Sequence, residues 1–235
     1  MQYDLDLKIC LSNHRSKHFN SILPMKYLLT GLLIGILSLS AHAGRPLTVD
    51  DANVNDKGVA HVESFWSRAA DGSRTFSFAP TYSPWSGIDL IAIDTRTLSA
   101  GPHSQTLQAK WQVTAARDEG CYFAWVFGAT VWQKGNGQKS FVGANGSCNI
   151  AGGAFHSSLV NSRDSEGRDT PSLGIAWEHS FGEWSGHIES VAQRSAKPLV
   201  GLGLRRDILP GLQLDGTWGK QGGKAVFSLG TKYTF

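Results

Sequence analysis

Residues 224–235 read KAVFSLGTKYTF. Phe227, Leu229, Tyr233 and Phe235 fall on one face of an extended chain, and Ser228, Gly230, Lys232 and Thr234 fall on the other. Thr231 interrupts the apolar face without breaking its period. Successive side chains of a strand point to opposite faces, so this period of two is a strand signal. An apolar alternation that closes on an aromatic has the form of the terminal strand read by barrel-assembly machinery. Tyr233 and Phe235 are therefore the candidate assembly signal. An ordinary edge strand shows the same pattern, so its meaning depends on what precedes it.

What precedes it is more alternation. Residues 104–116, SQTLQAKWQVTAA, put Leu107, Ala109, Trp111, Val113 and Ala115 opposite Gln108, Lys110, Gln112 and Thr114. Residues 171–182, PSLGIAWEHSFG, set Leu173, Ile175, Trp177 and Phe181 against Gly174, Ala176, Glu178 and Ser180. Leu212, Leu214 and Trp218 likewise oppose Gln213, Asp215 and Thr217. Blocks of this kind predict strands at 59–69, 73–83, 87–98, 104–116, 120–133, 138–147, 148–160, 171–182, 185–196, 198–208, 211–219 and 224–235. Short Gly-, Asn-, Ser- or Pro-containing turns separate them. The longest connection, NSRDSEGRDT at 161–170, is strongly charged and alternates with short turns at 83–86, 117–119 and 182–184.

The N-terminus sets the compartment. Residues 25–43, MKYLLTGLLIGILSLSAHA, combine Lys26, a short apolar run and Ala41-His42-Ala43, the layout of a secretory signal peptide. The apolar run is shorter than the ~20 residues of a spanning helix. Residues 1–24 resemble neither a targeting signal nor a domain and read as a misannotated upstream extension, with Met25 as the start. Removing 1–43 deletes four basic and two acidic side chains and brings the net charge from +3 to +1. The basic balance thus belongs mainly to the leader, and no nucleic-acid partner is expected. Cys121 and Cys148 survive processing, and in an exported chain such a pair predicts a disulfide, with two free thiols as the alternative. A hairpin tip at Asn136 sets Cys121 opposite about residue 151, a stagger that a turn or bulge near Asn145-Gly146-Ser147 would absorb.

Exported, strand-rich and free of helical periodicity, the chain is expected to be all-β. The predicted fold is a transmembrane antiparallel up-and-down β-barrel of about 12 strands (10–12), because only helices and closed barrels satisfy every backbone group in hydrocarbon. Its expected divisions are a periplasmic N-terminal segment at 44–58 and an outer-membrane barrel at 59–235. The competing fold is a secreted sandwich or lipocalin-like barrel, since alternation shows which faces are apolar but not which point outward. Trp66, Tyr82, Trp85, Trp111, Trp132, Trp184, Trp218 and Tyr233 fall near predicted strand ends, where interfacial girdles lie. By parity, the candidate lumen-lining residues are Lys110, Gln112, Glu178, His187, Glu189, Arg205, Asp215 and Lys232.

The segment GRPLTVDDANVNDKGVAHVESFW, residues 44–66, resembles the start of an outer-membrane family labelled after the meta-pathway of phenol degradation. The match is carried by Arg45, Pro46, Leu47, Asp50, Asp51, Ala52, Gly58 and Glu63. The resemblance implies a transporter-type barrel in the outer membrane.

Chemistry of another kind has one candidate. His156 and Ser158 share a strand face, an arrangement that resembles lipid A deacylases, in which Ser attacks an ester and His takes its proton. Phe155 and Leu159 occupy the apolar face, which leaves His156 and Ser158 toward the lumen, away from lipid. His103, His179 and His187 are isolated, and the glycines of GLGLRR, residues 201–206, suit strand packing rather than phosphate binding because no helix follows. No catalytic, cofactor or metal site is expected, so the chain is read as a non-enzyme. The expected function is a passive channel or transporter-type protein for small solutes, aromatic or hydrophobic ones among them. The expected partners are outer-membrane lipid, the assembly machinery and the solute. A closed structural or adhesion barrel working through 161–170 is the alternative, and a lipid-modifying enzyme is a third reading.

Overall fold

The computed structural model describes residues 48–98, 101–133, 137–150, 152–194 and 196–235. The upstream stretch 1–24, the signal peptide 25–43 and Arg45, Pro46 and Leu47 lie outside the described residues, as does the hairpin tip at Asn136. Twelve strands follow one another: β1 (Ala60–Arg68), β2 (Arg74–Trp85), β3 (Ile88–Thr97), β4 (His103–Gln112), β5 (Gly120–Trp132) and β6 (Gln138–Ile150). The second half comprises β7 (Gly153–Asp164), β8 (Asp169–Phe181), β9 (Trp184–Gln193), β10 (Leu199–Leu209), β11 (Leu212–Gln221) and β12 (Lys224–Thr234). Each pairs antiparallel with its chain neighbours, and β12 pairs back onto β1 to close a barrel. Closure is completed at Phe235, whose N–H donates to the Ala60 carbonyl at 2.9 Å while the Ala60 N–H donates to the Phe235 carbonyl at 3.2 Å. With an even strand number, β1 begins and β12 ends at the same rim, called the near rim below.

The expected twelve-stranded antiparallel barrel is therefore observed, with two local differences. First, the sheet does not break at Asn145-Gly146-Ser147. β6 runs on to Ile150, and Cys121 sits directly opposite Cys148 in an unbroken β5–β6 register. The two cysteines form the disulfide. No bulge is needed, because the register centres the hairpin one to two residues earlier than Asn136. Second, the charged stretch 161–170 is mostly ladder rather than loop. Arg163 pairs across β7–β8 with Asp169 at 2.8 Å and Arg168 reaches Asp164 at 2.8 Å, so opposite charges face each other along the extension. Only 165–168 remain as a turn, where hydrogen bonding to Asp164 and its charge hold the Arg168 guanidinium above its ordinary range.

The closed sheet settles which face points outward. Leu107 is 71% exposed and Trp111 50%, while Lys110 between them in parity is 6% exposed. The same inversion holds across the barrel: Phe123, Trp125 and Phe127 face out and Tyr122, Ala124 and Val126 face in. Ile188, Leu202, Leu214 and Leu229 are all exposed, whereas His187, Glu189, Arg205 and Lys232 are buried. A soluble barrel would place these sets the other way round. An apolar exterior on strands of 9–13 residues is what a bilayer-spanning barrel requires. Tyr82, Trp85, Trp111, Trp184 and Tyr233 ring the near rim on the outside, joined by Phe181 and Phe235. Toward the other rim, Trp66 meets Phe227 edge-on at 4.9 Å and Trp218 is exposed beside it. Trp132 departs from the expected girdle, since it shares the inward parity of Tyr122 and Val126 and is half-buried.

Inward glycines make room for charged side chains. A Cβ at Gly203 would lie 2.3 Å from His187 Cε1 and 2.6 Å from the Gly216 carbonyl oxygen. One at Gly201 would press on Glu189. The glycines of GLGLRR are thus spaces for the large polar side chains of β9. Gly203→Ala is expected to lower stability by about 1–3 kcal/mol through overpacking, read from urea unfolding of the detergent-solubilised barrel. Deleting Phe235 removes both closing hydrogen bonds and one girdle ring, so a smaller fraction of protein should show the compact, heat-modifiable band on unboiled gels.

Candidate functional site: the barrel lumen

The lumen contains part of the chain itself. Residues 48–55 do not lie outside the barrel, as expected for a periplasmic lead-in; they run within it and reach β1 through a turn at 56–59. Val49 is 1% exposed and Ala52 is fully buried. The contacts follow the chain from mid-barrel toward the near rim. Glu189 of β9 accepts the N–H of Thr48 at 2.6 Å, its hydroxyl at 3.0 Å and the N–H of Val49 at 3.1 Å. Lys110 of β4 donates to Asp50 at 2.8 Å and to the Asp51 carbonyl at 3.1 Å, with the Asp51 carboxylate at 3.4 Å. Asn145 of β6 donates to the other Asp50 oxygen at 2.9 Å.

Farther along, Ala52 donates its N–H to Ser147 Oγ at 2.9 Å, and its carbonyl accepts from Gln112 at 3.1 Å. Tyr122 donates to Asn53 at 2.8 Å. Asn55 donates its N–H to Asp89 of β3 at 3.1 Å, and Asp89 also accepts from Ser83. His61 of β1 meets Asn55 Oδ1 at 3.2 Å. Apolar packing is slight by comparison. Val49 sits against Ala176 and Val191, and Ala52 sits with Tyr122 and Ala124. Val49 also occupies the space above Gly174, where an added Cβ would approach its Cβ to 3.4 Å.

The parity-derived residues divide by neighbourhood. Lys110, Gln112 and Glu189 hold the segment directly. Glu178 and Arg205 form an ion pair with each other, both buried. His187 is buried over Gly203, and Lys232 is buried beside Glu63. Asp215 is half-buried on the inward parity of Gln213 and Thr217. Parity did not supply Asp89, because IDLIAID alternates poorly: Ile91 and Ile93 share its inward face while Leu90 and Ala92 face out. It also did not supply Asn145 and Ser147, which lay in the expected break between strands. The seating of Asp50 and Asp51 had no local signal at all.

His156 and Ser158 both face inward and are buried, yet they do not pair with each other. His156 Nδ1 is 2.8 Å from Ser147 Oγ, and Ser158 donates to Asn145 at 2.8 Å. Ser147 already accepts from Ala52, which ties this cluster to the threaded segment. The half of the lumen beyond the segment carries cross-strand hydroxyl pairs along β1 to β5. Ser67 meets Thr75 at 2.6 Å, Ser77 meets Thr95 at 2.9 Å and Thr106 meets Thr130 at 2.7 Å. Among the described residues no group of three His, Cys, Asp or Glu side chains gathers to hold a metal ion.

Solved structures with this architecture include a KdgM porin in complex with disordered oligogalacturonate. The match has a TM-score of 0.66 at 9% identity over 74% of this chain and 99% of that one. Another KdgM porin structure gives 0.63 at 10% identity, again over 74% of this chain and 99% of that one. The NanC porin gives 0.56 at 6%, covering 74% of this chain and 98% of its own. At such identities the likeness is one of fold. No protein-family model matches the chain and no curated protein does. The resemblance to the phenol meta-pathway family therefore rests on the N-terminal residues that carry it.

Lys110→Ala would leave the carboxylates of Asp50 and Asp51 buried without their cation. Breaking a buried pair from one side typically costs about 3–5 kcal/mol. A loss of that order is expected for the seat of residues 48–55, read as increased proteolysis of this segment in the otherwise folded barrel.

Proposed function

We propose that this chain is an outer-membrane barrel acting as a passive channel or transporter-type protein for small solutes, exported by the signal peptide at 25–43. The observation that carries the reading is the inverted surface: an exterior of Leu, Ile, Val, Phe and Trp around an interior of paired charges and hydroxyls. Hydrocarbon is a suitable solvent for that exterior, and the interior suits water and polar solutes. The near rim faces the periplasm in this reading. It carries the Cys121–Cys148 disulfide, which needs an oxidising compartment, and the terminal Tyr233 and Phe235 offered to the assembly machinery. Lipid contacts fall to the aromatic belts, where Lys220 lies 5.9 Å over Trp218 and Arg206 lies 5.4 Å over Trp184.

The lining supports polar solutes rather than the aromatic or hydrophobic ones first considered. Hydroxyl pairs stand along β1 to β5 in the far half, and the near half carries Glu63, Asp89, Glu178, Glu189 and Asp215 with Lys110, Arg205 and Lys232. Carboxylates outnumber cations in that set, so an acidic oligosaccharide like that in the KdgM complex would meet repulsion here. The structural or adhesion reading loses ground because the charged stretch meant to serve it is mostly paired strand. The lipid-enzyme reading loses ground because His156 and Ser158 are buried inside, away from bilayer lipid, and hydrogen-bond to other partners.

Refolded protein that shows heat-modifiable migration should give discrete current steps in planar bilayers. Permeability to neutral and cationic small solutes should exceed that to anions of similar size in liposome swelling. A sealed bilayer over folded protein would remove the channel reading.

A further inference from the structure

Residues 48–55 are held by a surface that suits a movable segment better than a permanent core. Almost every contact is polar, and each hydrogen bond replaces one that water would otherwise make. The buried apolar contribution is confined to Val49 and Ala52.

The barrel itself does not depend on the segment for its ladder, since all twelve strands pair only with one another around the closed ring. The segment joins that ring at one place, the turn before β1. There Gly58 takes a φ of +86°, and its N–H donates to the Ser83 carbonyl at 2.8 Å, which anchors the turn to β2 as the segment's pivot. Beside Asp50, Asp51 and Asn53 a cavity lies between the segment and the inward faces of β1, β2, β3 and β12, lined by Glu63, Phe65, Ala79, Ile91, Ile93 and Lys232, and Asn55 bridges its edge to Asp89 and His61. The segment therefore narrows the lumen toward one wall.

We propose that residues 48–55 form a resident gate, bound in the lumen through Lys110, Asn145, Glu189 and Asp89, whose withdrawal through the near mouth widens the passage. This rests on the channel reading. The carboxylates of Asp50 and Asp51 are the handle by which the gate is held, and they are also charges that a transmembrane field would pull. Gating should accordingly be asymmetric in voltage.

The test is a reversible lock in the full mature chain. Val49→Cys combined with Gly174→Cys places two Cβ positions 3.4 Å apart, close to the ~3.5–4.5 Å spanned by disulfides. In planar bilayers the oxidised double variant should stay in the low-conductance state at all voltages, and reductant should restore wild-type openings. The single Val49→Cys variant under the same reductant controls for the native disulfide. A second variant, Asp50→Ala with Asp51→Ala, should raise mean conductance roughly twofold or more and flatten the voltage asymmetry. If both variants fold, by heat-modifiable migration, and conduct like wild type in every redox state, the gate is overturned while the channel reading stands. Absence of current in all of them, wild type included, overturns both.

Discussion

The structure depends on one closing contact, the antiparallel ladder between β1 and β12. An open twelve-stranded sheet would expose two rows of unpaired N–H and C=O groups, and hydrocarbon offers them no partner. Once His61 to Arg68 pair with Phe227 to Thr234, and Phe235 exchanges hydrogen bonds with Ala60, no edge remains among the described strands. Everything else follows from that ring. It turns one set of alternating residues outward together and gathers the other set into a confined interior.

Confinement is what makes the interior chemically unusual. Side chains that would each be solvated on a flat sheet converge from facing strands, and their charges must be matched within the barrel. Glu178 finds Arg205 two strands away. Lys110 is matched by Asp50 and Asp51, which come from outside the sheet. The glycines at 174, 201 and 203 belong to the same arrangement, because inward positions are crowded and a large neighbour requires a small one. The near half of the lumen is thus a binding site for a piece of the chain, and the far half carries cross-strand hydroxyl pairs.

Much of the barrel was legible because alternation is a local property. Leu107, Trp111 and Lys110 announce two faces within five residues, and turn glycines such as Gly87 and Gly182, both at positive φ, mark where strands end. Legibility failed where local chemistry was ambiguous. The Asn-Gly-Ser of β6 reads as a turn, yet Asn145 and Ser147 point inward as polar lining and Gly146 lies under Phe123, so the strand continues. The charges of NSRDSEGRDT read as a solvated loop, yet they pair across β7 and β8. In both cases the deciding neighbour lies on another strand.

The eight lumen residues chosen by parity show the same division. Their shared face with other polar side chains could be read one strand at a time, but their partners could not. By itself the sequence determined that the chain forms short alternating strands and that each strand has an apolar and a polar face, since both depend on neighbours within a few residues. Only the tertiary structure decided that the apolar face points outward, that Cys121 meets Cys148 without a bulge, and that Asp50 and Asp51 lie inside on Lys110. Those outcomes depend on closing a ring of twelve strands, and a period of two is the same whichever way the ring closes.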